Sequence, residues 1–118
     1  MVLRIILIFL LVVNFSSLQA ATCELNTLAL NIPVSGSLGS GDCQVADLLA
    51  NSDTSFVDQY QLTLSEQTEI TISMTSSDFD AFLHLADNGL VILAEDDDSG
   101  TEFNARIVQT LMTGTYRI

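Results

Sequence analysis

Four consecutive carboxylates, Glu95 to Asp98, are the residues of this sequence that most plainly point to chemistry. Asp78 and Asp80 lie at the start of the predicted pair of strands that ends at this acidic run. Gathered carboxylates repel one another unless a cation or hydrogen bonds offset the repulsion. Calcium is the natural candidate, because it takes about 6–8 oxygen ligands and accepts irregular loop geometry. The sequence therefore predicts a calcium site formed by Asp78, Asp80, Asp96, Asp97 and Asp98.

A solvated acidic face is the alternative to a metal site. The run lacks the glycine placement of an EF-hand loop, since Gly100 stands at the fifth position from Asp96 and not at the sixth. In this alternative Arg106 pairs with one aspartate, while the other acids face water and protect a strand edge from unwanted pairing. The sequence leaves both interpretations open.

Catalytic arrangements are not indicated by the remaining polar residues. His84 is the only histidine, and nothing in the sequence gathers a nucleophile, a base and an acid around it. Glycoside cleavage needs two carboxylates separated across a cleft, whereas these acids crowd onto one loop. We therefore expect no enzymatic activity, no catalytic residues and no bound organic cofactor.

The elements that position the acids follow period-two patterns separated by turn residues, which are typical of an antiparallel all-β domain. Such one-sided strands bury their apolar faces by packing two sheets together, so we predict a jelly-roll-like β-sandwich of about seven strands. An edge strand is expected near Leu28–Ile32, a short helical turn within 44–50, and a tight hairpin at 87–89 with positive φ angles. The predicted strands are 28–32, 59–64, 69–74, 79–85, 90–93, 105–111 and 115–118.

One rim of this sandwich should collect the acids. The strand over 79–85 and the strand over 90–93 are joined at 87–89, so the acidic run lies at the end away from that turn. The start of the first strand lies at the same end. We therefore expect Asp80 to lie close to Asp97.

The first twenty residues are predicted to be a secretory leader. Arg4 precedes the nine-residue apolar run Ile5–Val13, and the small residues Ala20 and Ala21 follow. The run is shorter than the roughly 20 apolar residues of a spanning helix, although a membrane anchor and a lipoprotein leader are rival interpretations. Residues 21–118 then form one domain in a secreted, extracellular or periplasmic protein.

The charge of the chain restricts its partners. Fifteen acidic and three basic residues give a net charge of −12, and two of the basic residues lie after the leader. Such a surface repels nucleic acid and anionic membranes, so neither is expected as a partner. Cys23 and Cys43 both follow the leader, and an oxidising compartment favours a disulfide between them over two free thiols or a metal site.

The stretch from Phe79 to Ile118 resembles the bacterial pre-peptidase C-terminal domain, an extracellular β-sandwich module usually appended to secreted proteases and other exported proteins. The resemblance is strong over 58–118 and loose over 28–43, and Phe82 stands where that family has tyrosine. The matching positions are Phe79, Asp80, Leu83, Leu85, Asp87, Gly89, Leu93, Ala94, Asp96, Asp97, Asp98, Gly100, Asn104, Arg106, Ile107, Leu111, Gly114, Thr115 and Tyr116.

The resemblance implies a secreted, non-catalytic module that binds, spaces or supports secretion, with an extracellular protein or polysaccharide as its unknown partner. No peptidase domain precedes the module, and the family's last strand is cut short at Ile118, which suggests truncation. The alternatives are a carbohydrate-binding or adhesin module, a protease accessory or inhibitor, and an N-terminal fragment of a longer secreted enzyme such as a peptidase. Phe82 and His84, on the outward side of their strand, are the candidate contact surface.

Overall fold

The computed structural model describes residues 23–118, which form nine strands and one short helix. The predicted leader at 1–20 lies outside the described residues. In chain order the elements are β1 (Leu25–Thr27), β2 (Cys43–Gln44), α1 (Val45–Leu48), β3 (Phe56–Val57), β4 (Gln59–Leu64), β5 (Thr68–Met74), β6 (Leu83–Asp87), β7 (Ile92–Asp96), β8 (Ala105–Leu111) and β9 (Gly114–Arg117).

Three sheets organise these strands. A five-stranded sheet has the order β1-β4-β9-β6-β7, and β5 with β8 and β2 with β3 form two-stranded sheets. Every pairing is antiparallel except β1 with β4, which run parallel. The predicted all-β, antiparallel fold is confirmed and is consistent with a β-sandwich. The described residues hold nine strands where about seven were expected, because β2 and β3 are two-residue strands without a period-two pattern.

The core lies between the five-stranded sheet and the β5–β8 pair. Leu85 is fully buried and Leu83 nearly so, whereas Phe82 points outward and is 48% exposed. The predicted alternation from Phe82 to Leu85 is therefore confirmed, and it directs Leu83 and Leu85 into the core and His84 to the opposite face. The buried cluster is Leu62, Leu64, Ile70, Ala81, Leu83, Leu85, Ala105, Ile107 and Leu111.

The prediction of an edge strand near Leu28–Ile32 is wrong. The regular strand is β1, and the chain turns at Asn31, which has a φ of 61° while the amide of Ile32 donates to the carbonyl of Ala29. Asparagine tolerates this left-handed conformation, and the turn interrupts the alternation. Leu30 and Ile32 are consequently half or more exposed. The short helical turn predicted within 44–50 is confirmed as α1.

The β6–β7 hairpin turn forms where it was predicted, but with a different residue in the left-handed region. Leu90 has a φ of 63°, whereas neither Asn88 nor Gly89 has a positive φ. The Asp87 carboxylate accepts bonds from the amides of Gly89 (2.8 Å) and Val91 (3.0 Å). These bonds favour a turn that places its left-handed position one residue beyond the glycine.

The predicted disulfide between Cys23 and Cys43 is confirmed, with a Cα–Cα distance of 5.3 Å. It ties the segment before β1 to β2, and so fastens β2, α1 and β3 against the sheet. Within residues 23–118, no helix is long and apolar enough to span a membrane.

Candidate functional site at the acidic rim

The rim is built by the register of β6 and β7. Leu83 lies opposite Asp96 and His84 opposite Glu95, and Asp97 directly follows the end of β7. Asp97 and Asp80 interact, since the Asp98 charge first, then burial, and then the charges of Asp80 and Asp96 raise the pKa of Asp97. The charge of Asp80 thus contributes to the environment of Asp97, and the close approach of the two side chains stays a prediction.

Asp96 organises the loop that follows it. Its carboxylate accepts bonds from the amides of Ser99 (3.0 Å) and Arg106 (2.8 Å) and from the Ser99 hydroxyl. The bond from that hydroxyl, followed by the one from the Arg106 amide, lowers the pKa of Asp96. Asp96 thus joins the end of β7 to the start of β8, and this bonding lowers the cost of its negative charge.

Gly100 and Asn104 close the loop between those two strands. The amide of Gly100 donates to the carbonyl of Asn104 over 2.8 Å. A Cβ atom added to Gly100 would lie 2.4 Å from that same carbonyl oxygen, which is far inside van der Waals contact. A glycine is therefore needed at this position by close backbone approach, not by a special φ angle.

The segment that carries Asp78 and Asp80 is bonded to the acidic loop at two points. The Ser76 amide donates to the side-chain oxygen of Asn104 (3.2 Å), and the Ala81 amide donates to the carbonyl of Phe103 (3.0 Å). Two parts of the chain that are distant in sequence therefore meet at this rim.

Sequence reasoning did not assign a role to Ser76. Its hydroxyl accepts bonds from the amides of Asp78 (3.1 Å) and Phe79 (3.2 Å). A serine shortly after a strand is a signal for a turn, because its hydroxyl can accept bonds from the backbone amides of the residues that follow it. Ser76 shapes the segment that brings Asp78 and Asp80 to the rim.

The rim aspartates have no basic side-chain partner in the described part of the chain. Among residues 23–118 the one ion pair joins His84 Nδ1 and Glu95 Oε1 at 2.8 Å. The proposed pairing of the Arg106 side chain with an aspartate is wrong, since Arg106 contributes its backbone amide instead. Hydrogen bonds offset the charge of Asp96, whereas no basic side chain offsets the charges of Asp97 and Asp98.

The ligand atoms of the five predicted aspartates are not gathered into a compact set. In the described range, one group of three possible ligands has its ligand atoms within 4.8 Å of one another, namely Cys23, Cys43 and Asp47. Both sulfurs of that group belong to the disulfide, so no thiolate is available to bind a metal. Calcium binding at the rim would therefore require the side chains of the exposed loop to turn toward the ion.

A second set of acids, which sequence reasoning missed, lies beside the disulfide. Burial first, and then the charges of Asp42 and Glu24, raise the pKa of Asp58. All three acids line a small polar cavity together with Gln59, whose side-chain amide donates to the Cys23 carbonyl (3.3 Å). These acids come from separate parts of the sequence, and no local pattern links them.

Comparison of the chain with protein-family models, curated proteins and solved structures finds no match. The acidic rim is accordingly interpreted from its own geometry.

Proposed function

We propose that this chain is an exported, non-catalytic β-sandwich module similar to the pre-peptidase C-terminal domain, which binds or spaces partners outside the cell. Calcium stabilises it at the rim formed by Asp78, Asp80, Asp96, Asp97 and Asp98. The family resemblance over 58–118 and the predicted leader motivate the proposal, and the disulfide is typical of an oxidising compartment.

The observation that carries the calcium proposal is the electrostatic environment of Asp97. Its pKa is raised chiefly by the neighbouring charge of Asp98. A group whose pKa is raised in the folded state favours folding below its unfolded pKa, and this advantage disappears as pH rises through the folded pKa. At neutral pH the ionised Asp97 therefore opposes folding, and a divalent cation would remove that opposition.

Two features of the rim suit this role. Bonds from the chain already fix Asp96 and the segment bearing Asp78, so the backbone of the site is organised before any ion arrives. Asp97 and Asp98 are exposed and can rotate toward an ion. Calcium accepts such mixed sites, because its coordination is irregular and includes water.

A non-catalytic role is supported by the position of His84. Its Nδ1 atom bonds Glu95 across the strands, and its ring lies 4.8 Å from that of Phe82, centroid to centroid. These contacts orient the histidine as part of a surface. A carbohydrate-binding or adhesin module is the second candidate, since Phe82 offers an exposed ring on the same surface.

The calcium proposal is tested by thermal melting of the exported chain in calcium and in chelator. We expect calcium to raise Tm. In chelator, Asp97→Asn should melt at or above the wild-type temperature, because it removes a repelling charge. The rise in Tm that calcium causes should be smaller for this variant than for the wild type. Glu66→Gln, which removes one charge at the opposite rim, should keep the full gain. Equal melting of the wild type with and without calcium would refute the metal proposal.

A further inference from the structure

The outer face of the β6–β7 hairpin is only half covered. Near the hairpin turn, Leu48 and Leu49 of the helical segment line an apolar cavity together with Ala86 and Ile92 of the hairpin. His84 also lines this cavity and marks the end of the covered half. The half beyond it, toward the acidic rim, is open.

The open half, which we call the outer rim face, consists of Asp80, Phe82, His84, Glu95 and Asp97. Phe82 is 48% exposed, and the side chains of Glu95 and His84 are 47% and 23% exposed. The register places Glu95 across from His84, and the ring of Phe82 lies 4.8 Å from that of His84, centroid to centroid. An exposed ring thus lies beside the His84–Glu95 pair, at the end of the hairpin that carries the exposed carboxylates of Asp80 and Asp97.

We infer that the outer rim face binds a lysine- or arginine-rich segment of another protein. A cation is attracted to the face of an aromatic ring and to carboxylates, and here the two kinds of group are neighbours. The inference rests on the proposed binding role and specifies the chemistry of the partner. It does not depend on calcium.

Charge complementarity is what selects this partner. A second copy of the chain carries the same net charge of −12, and Arg106 and Arg117 are its only basic residues after the predicted leader. Nucleic acids and anionic membranes are repelled by the same charge. A basic polypeptide segment can contact both the exposed ring and the carboxylates of Asp80 and Asp97, which form no ion pair within residues 23–118.

The experiment uses the exported chain and a fluorescent ten-residue oligolysine probe, with a ten-residue poly(Gly-Ser) peptide as the uncharged comparison. Binding is measured by fluorescence anisotropy in chelator and again with calcium. We expect the oligolysine to bind in chelator, to weaken with added salt and to be displaced by calcium if both use Asp97. The Gly-Ser peptide should not bind.

Variants separate specific docking from attraction to any acidic protein. Phe82→Ala should weaken oligolysine binding about 2- to 5-fold, the range expected for an exposed cation–π contact. Phe82→Leu should weaken it similarly, because the apolar contact remains but the aromatic face is lost. Asp97→Asn should weaken binding more than Glu66→Gln does, and Phe56→Ala, at a 40% exposed ring outside this face, should leave it unchanged.

Equal effects of Asp97→Asn and Glu66→Gln, together with no effect of Phe82→Ala, would overturn the inference and leave only non-specific attraction. Concentration-dependent self-association lost in Phe82→Ala would assign the face to a second copy instead. If the wild type does not bind oligolysine but calcium still raises its Tm, this inference alone is refuted. A silent calcium response with specific peptide binding would refute only the metal proposal.

Discussion

Gly100→Ala tests whether the loop geometry at the acidic rim is as tight as the structure indicates. The added methyl carbon would lie 2.4 Å from the carbonyl oxygen of Asn104 and 2.9 Å from its carbonyl carbon. Both atoms belong to the backbone, so no side-chain rotation relieves the contact. Either the bond from the Gly100 amide to Asn104 breaks or the loop moves as a whole.

The expected loss follows from the two parts of this contact. Overpacking costs about 1–3 kcal/mol, and a lost backbone hydrogen bond in an accessible loop costs about 1 kcal/mol. If the hydrogen bond breaks, the loop can move away from the methyl group and the clash is relieved. The two costs therefore overlap, and we expect a loss of about 2 kcal/mol. For a domain of this size each kcal/mol changes Tm by roughly 4–8 °C, so Gly100→Ala should lower Tm by roughly 8–16 °C.

The assay is urea unfolding combined with thermal melting, with Gly41→Ala as the matched control. An added Cβ at Gly41 meets no atom within 4 Å. That substitution should be neutral or stabilise the fold by up to about 1 kcal/mol, because alanine reduces the entropy of the unfolded chain. Equal stabilities of the two variants would refute the close-approach argument. Because Gly100 lies in the acidic loop, its substitution should also reduce the calcium-induced rise in Tm.

Two further predictions concern the disulfide and the pH dependence of stability. Replacing both Cys23 and Cys43 with serine should lower the free energy of unfolding by about 3 kcal/mol for a separation of 20 residues, measured by urea unfolding, and an unchanged midpoint would contradict the prediction. Because bonds from Ser99 and Arg106 lower the pKa of Asp96, its contribution is present above the unfolded pKa and is lost as pH falls through the folded pKa. Asp96→Asn should therefore reduce the fall in Tm between pH 5 and pH 2. A fall in Tm equal to that of the wild type would show that Asp96 does not stabilise the fold.

The sequence predicted the alternating strands because each side chain's face is a local property. Leu83 and Leu85 lie in the core and Phe82 lies outside, as period-two spacing requires. The same reasoning failed at Leu30 and Ile32, where alternation continues but no strand forms. Asn31 turns the backbone there, and apolar alternation does not reveal such a turn.

Sequence alone determined the all-β character, the β6–β7 hairpin, the disulfide partners and the choice of the acidic run as the candidate site. All four follow from residue type and short-range spacing. Tertiary structure alone decided that Arg106 serves the rim through its backbone amide, that Ser76 and Asn104 join two distant segments, and that Asp58 lies near Asp42 and Glu24. It also decided which half of the outer face is covered by β2, α1 and β3. These features depend on which strands become neighbours. Burial of the apolar surface of the whole chain determines that choice, and no single segment contains the information for it.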